Sequence, residues 1–256
     1  MSNKGFTNYL ILRLLSPFII FFIFTALVSF FDSISSNWSN NSSQIIEANN
    51  EEVISKFGQE KEFLKSVFWN TNYDQSHGGV YRIQSSDYYS SLRNRSSISI
   101  YSDWNAMAKK VINNDYDKLN SVYTMLQRIR TNNNYDKYEF ADAIVSFVQD
   151  IPYSIIDNAI DIYAPVEFLK KYKGDCDTRT ILLYVMLKNY NYDVIILNSN
   201  FYEHSILGIN LATSGSNYKI LNGKRYYAWE TTNTGWTRGL IPSRINNMYL
   251  WNVGYK

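Results

Sequence analysis

The chain is poor in the residues that most often announce chemistry. Its 256 residues include one cysteine, Cys176, and two histidines, His77 and His204. A single cysteine excludes an intramolecular disulfide, and so few sulfur and imidazole ligands argue against a structural zinc site. No metal and no cofactor is expected. Charge of either sign is also scarce in excess: 25 Lys+Arg against 23 Asp+Glu leave a formal net charge of +2. No cluster of Lys and Arg interleaves with aromatics, so a nucleic-acid-binding surface is excluded as an expectation. Neither common glycine-rich phosphate loop is present, and no internal repeat is found.

What the chain does have begins with an apolar run. Leu14 to Phe31 reads LLSPFIIFFIFTALVSFF, 18 residues without a charge. That is enough for a transmembrane helix, in which Pro17 near one end is tolerated. Lys4 and Arg13 precede the run and Asp32 follows it. The positive-inside rule then places the N-terminus in the cytoplasm and residues 32–256 outside it. A cleaved signal peptide competes with the anchor, but VSFFDSISS offers a poor small-x-small cleavage pattern. A buried core helix competes less well, because the run has no polar face. The expectation is a single-pass membrane protein with an extracytoplasmic domain.

Ser33 to Ser43 is Asn/Ser-rich and reads as a linker. Gln44 to Phe68 follows a helical period, with Ile46, Val53, Phe57, Leu64 and Phe68 near one face. Asn70 to Gly79 is turn-rich, which makes His77 a solvated loop residue. YRIQ and SISIY are short strand-like pieces, and Trp104 to Asn132 is helical with a break near Asn113–Asp115. Tyr135 to Val148 is an amphipathic helix with Phe140, Ile144, Phe147 and Val148 on its stripe. It stops before Pro152, which disfavours helix at the preceding residue. A short helix over Val166 to Tyr172 precedes a longer one after Cys176. Val194 to Leu197 is a continuous apolar run, expected as a central strand covered on both faces. His204 to Leu211 and Lys224 to Thr231 are two further strands. Helices followed by an antiparallel sheet give an α+β class. Three parts are expected: a membrane anchor with a short tail over 1–32, a linker and mainly helical region over 33–134, and a catalytic domain over 135–256.

The chemistry centres on KYKGDCDTRT, followed at once by ILLYVMLKNY. Asp175 or Asp177 is a natural N-cap, assisted by Thr178, so Cys176 belongs in the first turn of a buried helix. The free N–H groups and helix dipole there favour a thiolate, below the reference thiol pKa of about 8.5. A cysteine nucleophile needs a base and a group to orient that base. His204 opens HSILGINL, and Glu230 lies in RYYAWETT. If Leu211 lies opposite Gly223 in a hairpin, His204 faces Glu230 with Cβ atoms about 5 Å apart. His204, Ile206, Gly208 and Asn210 then share one face, and Gly208 leaves room for the cysteine helix. The Cys176 N–H is a candidate oxyanion donor, with a second donor sought near Gln149. Asp193 is the next candidate acid. Each residue alone also has an ordinary reading: a small buried hydrophobe, a structural histidine, a surface acid.

GDCDTRTILL, then YDVIIL, HSILGI, and YYAWETT followed by GW, together resemble the transglutaminase-like cysteine peptidase superfamily. FVQDIPY resembles the segment before the cysteine helix in its bacterial members. The resemblance spans residues 138 to 241 and does not reach the first 100. It implies a papain-like core and a catalytic Cys176–His204–Glu230 triad. Family members often carry an acid two positions after the cysteine, where this chain has Thr178. The implied activity is a membrane-anchored cysteine hydrolase of the bacterial cell envelope, a peptidase or amidase working through a thioester on a peptide or protein substrate. A protein-glutamine transglutaminase or acyltransferase with the same triad, and a catalytically idle peptide-binding module, are the alternatives.

Overall fold

A computed structural model of the protein describes residues 61–72, 75–156 and 160–256. Residues 60–256 make one compact unit. It opens on a hairpin, β1 (Glu62–Asn70) and β2 (Ser76–Gln84). Then come α1 (Ser85–Ser96), α2 (Trp104–Asp115), a 3-10 turn (Tyr116–Lys118), α3 (Asn120–Asn132) and α4 (Lys137–Asp150). After α5 (Pro165–Lys171) and α6 (Cys176–Asn189) follow β3 (Val194–Ser199), β4 (His204–Ile209), β5 (Tyr218–Leu221), β6 (Lys224–Trp229) and β7 (Asn252–Tyr255). The last five strands form one antiparallel sheet in the order β5-β6-β4-β3-β7.

The expected membrane helix is corrected. The run Leu14–Phe31 lies outside the described residues, and among the described residues no helix is long and apolar enough to cross a membrane. The two longest, α4 and α6, have 14 residues each. At 1.5 Å per residue that is about 21 Å, against roughly 30 Å of hydrocarbon. The single-pass topology and its extracytoplasmic placement are therefore not supported.

The helix expected over Gln44 to Phe68 is also corrected where it can be seen. Residues 44–60 lie outside the description, but Glu62–Asn70 is a strand. Val67 and Trp69 point inward while Leu64 and Phe68 are exposed, a period of two rather than 3.6. Trp69 Nε1 donates to the Ala143 carbonyl of α4 at 3.1 Å, and Tyr81 OH to Leu169 at 2.9 Å, so the hairpin shares its core with the helices. His77 is not a solvated loop residue. It sits buried in β2, with its ring against Trp69 and its Nε2 3.0 Å from Tyr135 OH. YRIQ lies in β2, whereas SISIY forms no strand.

Helix ends follow local chemistry. Asp136 caps α4 in a full capping box with Glu139, and Pro165 starts α5 at a position that needs no N–H. β3 is covered on both faces. Val194 and Ile196 join the helix-side core, while Ile195 and Leu197 pack with Ile206, Tyr226, Ala228 and Trp251 on the other. The alternation in β4 and β6 sorts Leu207, Ile209 and Trp229 to the helix side, which sends His204 and Glu230 to the opposite one.

Candidate active site

The register that joins β4 to β6 is not the simple hairpin expected. β5 intervenes in the chain and pairs with β6 through an Asn222–Gly223 turn, both residues at positive φ (50° and 74°) as a type I′ turn requires. β4 and β6 pair as Leu207↔Trp229, Gly208↔Ala228 and Ile209↔Tyr227. That is two residues from the register Leu211 opposite Gly223. A slip of two keeps every side chain on its face. His204 and Glu230 therefore meet on the diagonal, and His204 Nε2 lies 3.0 Å from Glu230 Oε2 and 3.2 Å from Oε1.

Glu230 is 2% exposed and its carboxylate is fully engaged. Oε1 accepts from Thr231 N (2.8 Å), Thr232 N (2.9 Å) and Thr232 Oγ1 (2.7 Å), leaving Oε2 for the imidazole. Burial alone would push this carboxyl up. The hydrogen bond and charge of His204, with the Thr232 donors, outweigh burial and hold it below the usual range. Because Glu230 occupies Nε2, Nδ1 is the nitrogen left to exchange a proton. The His204 ring also lies edge-on to the buried Trp251, centroids 6.1 Å apart.

Cys176 opens α6. Asp175 is the N-cap, accepting from Thr178 N at 2.9 Å. Its thiol is 7% exposed and receives the backbone N–H groups of Ser205, the residue after His204, and of Asp177. Two further contacts fix this junction: Ser205 Oγ donates to Asp177 Oδ1, and Thr180 Oγ1 to the Ser205 carbonyl at 3.4 Å. Contrary to the sequence reading, the thiol is not depressed. Burial, then the charges of Asp177 and Asp175, push it up to about 12, and the two N–H donors offset only part of that. Nor does Gly208 make room for the cysteine helix. It lies on the other face, where a Cβ would come 2.7 Å from Ile195 Cγ1.

Two braces hold the acid-bearing segment. Gln149 Nε2 donates to the carbonyls of Glu230 (2.7 Å) and Trp236 (3.1 Å), so it is a strut and not the oxyanion donor sought near it. Arg179 is fully buried and bonds only to backbone carbonyls: Gly174 (3.2 Å), Val148 (2.8 Å), Gln149 (3.4 Å), Thr231 (3.3 Å) and Ile151. It thereby ties the end of α4, the turn before α6 and the residue after Glu230 together. Asp193 is ruled out as the acid. It lies at the far end of β3 from His204, paired with Lys224 Nζ (2.7 Å) and Tyr226 OH (2.9 Å).

A cleft of about 700 Å³ opens over the pair, lined by Tyr153, His204, Glu230, Thr232, Asn233, Trp236, Pro242 and Arg244. Trp236 lines it, whereas Tyr226 and Trp229 are fully buried core. Tyr153 was missed. Burial, then the neighbouring Cys176 and Asp175, push its hydroxyl up to about 12. Trp251, Arg179 and Arg244 were missed as well. Their chain positions carry no local signal; only Arg179, one helical turn after Cys176, could have been suspected. Among the described residues no group of three or more His, Cys, Asp or Glu is placed to hold a metal ion. No protein-family model, curated protein or solved structure matches this chain.

Proposed function

We propose that the protein is a cysteine hydrolase of transglutaminase-like type, acting on an amide or ester through Cys176, His204 and Glu230. The observation that carries this reading is Glu230, a buried carboxylate with three donors of its own that still reserves one oxygen for His204 Nε2. An ordinary surface acid has no need of that arrangement. Because the resting thiol is pushed up, His204 works as a general base rather than as half of a standing ion pair. Nδ1 takes the thiol proton as Sγ adds to the carbonyl carbon. The imidazolium is steadied by Glu230, and its proton then goes to the leaving group as the thioester forms. The N–H groups at the start of α6 are the candidate oxyanion donors. Water, activated by the same imidazole, cleaves the thioester and returns the thiol.

The test is acylation by p-nitrophenyl acetate, read as nitrophenolate release and by mass spectrometry. The expected result is an acetyl thioester on Cys176, formed much more slowly in His204→Ala and absent in Cys176→Ala. Adding a labelled primary amine then sorts the chemistry. Release of acetate supports a hydrolase, and acetylated amine supports the acyltransferase alternative. No thioester, or formation indifferent to His204, returns the fold to a binding role.

A further inference from the structure

We infer that Arg244 is the specificity-determining residue of the cleft, selecting acyl substrates that carry a carboxylate beside the reacting carbonyl. The inference rests on the hydrolase reading of the same site. A carboxylate and an imidazole line the cleft besides Arg244, and both are committed: Glu230 to its four donors, and His204 to Glu230. Arg244 is different. It is exposed, and among the described residues no carboxylate lies within ion-pairing distance and no hydrogen bond holds its guanidinium. Yet its backbone is fixed. Arg244 is the middle residue of a 3-10 turn, Ser243–Ile245, closed by Ile245 N donating to Pro242 O at 3.0 Å. Ile245 is buried, and its carbonyl accepts from Trp251 Nε1 at 2.9 Å. Trp251 is the residue that packs on the His204 ring. The backbone that carries the cation is thus tied to the residue that packs on His204, and the guanidinium keeps five donors unspent. A guanidinium so placed matches a carboxylate, which it can engage through two parallel hydrogen bonds. A neutral substrate leaves it solvated and gains nothing from it.

The inference is tested with two thiol reagents that differ by one charge: iodoacetyl-glutamate α-amide and iodoacetyl-glutamine α-amide. In each, Sγ displaces iodide, and the single cysteine makes the mass reading unambiguous. At pH 8 and low salt, the full chain should alkylate faster with the glutamate reagent, by about threefold or more. That preference should shrink in 1 M salt, fall to about one in Arg244→Gln and reverse in Arg244→Glu, with the glutamine-reagent rate unchanged. A preference that survives Arg244→Gln overturns the inference and leaves the triad standing. A glutamine-reagent rate unaffected by His204→Ala overturns the triad reading, whatever Arg244 does.

Discussion

Glu230→Gln changes one oxygen for an NH₂ and asks what Glu230 does for His204. The three donors on Oε1, from Thr231 N, Thr232 N and Thr232 Oγ1, hold whichever atom they meet as an acceptor. The carboxamide oxygen must therefore take that position, which aims the NH₂ at His204 Nε2. A nitrogen that faces a donor must accept, so the imidazole carries its proton on Nδ1. That is the nitrogen needed to take the thiol proton. Losing a charge-assisted bond is worth about 1.5–3 kcal/mol, roughly 10- to 150-fold in rate. The wrong tautomer costs more, up to about 10⁴ where the same exchange was made in a serine triad. Acylation of Cys176 by p-nitrophenyl acetate should therefore fall by about 10²–10⁴, less than in Cys176→Ala. The melting temperature should change little, because volume and three of four hydrogen bonds are retained. Nitrogen-15 NMR of the imidazole should report protonation moving from Nε2 to Nδ1. A folded Glu230→Gln protein with wild-type acylation and an unchanged tautomer would remove Glu230 from the site.

Arg179→Leu should destabilise the protein by about 3–5 kcal/mol, since it strands buried carbonyls of three segments, and denaturant unfolding would show it; Arg179→Lys, with fewer donors and no fork, should recover only part. Asp175, 5% exposed, is pushed up to about 6 by burial, despite its hydrogen bonds to Thr178, with Asp177 adding to the rise. A raised carboxyl binds its proton more tightly when folded, so its ionisation costs stability above pH 6 and costs none below the unfolded value near 4. Asp175→Asn keeps a good N-cap and should stabilise the protein by roughly 1–3 kcal/mol at pH 8 and not at pH 4, measured by thermal unfolding at both. Gly208→Ala, with its Cβ 2.7 Å from Ile195 Cγ1, should cost about 1–3 kcal/mol in the same assay, and Ile195→Val should relieve part of it.

Much of this site could be read before any fold was known, because its signals are local. An acid before Cys176 and a long apolar run after it specify a helix start. The alternation around His204 and Glu230 is enough to put both on one face of a sheet, whatever the pairing, since a two-residue slip preserves the faces. Val194–Leu197 declares a strand covered on both sides by having no polar position. What could not be read depends on which distant segments come together. The inserted β5 that displaced the register, and the burial that raises the Cys176 thiol against its own helix dipole, are properties of packing. Leu64 and Phe68, four apart, fit a helical stripe in sequence; Val67 and Trp69 belong to a strand because α4 offers them a core. Arg179 shows the difference most plainly. In sequence it is one cation on a helix, and its role is set by five carbonyls from three other places in the chain, which only a folded backbone can converge.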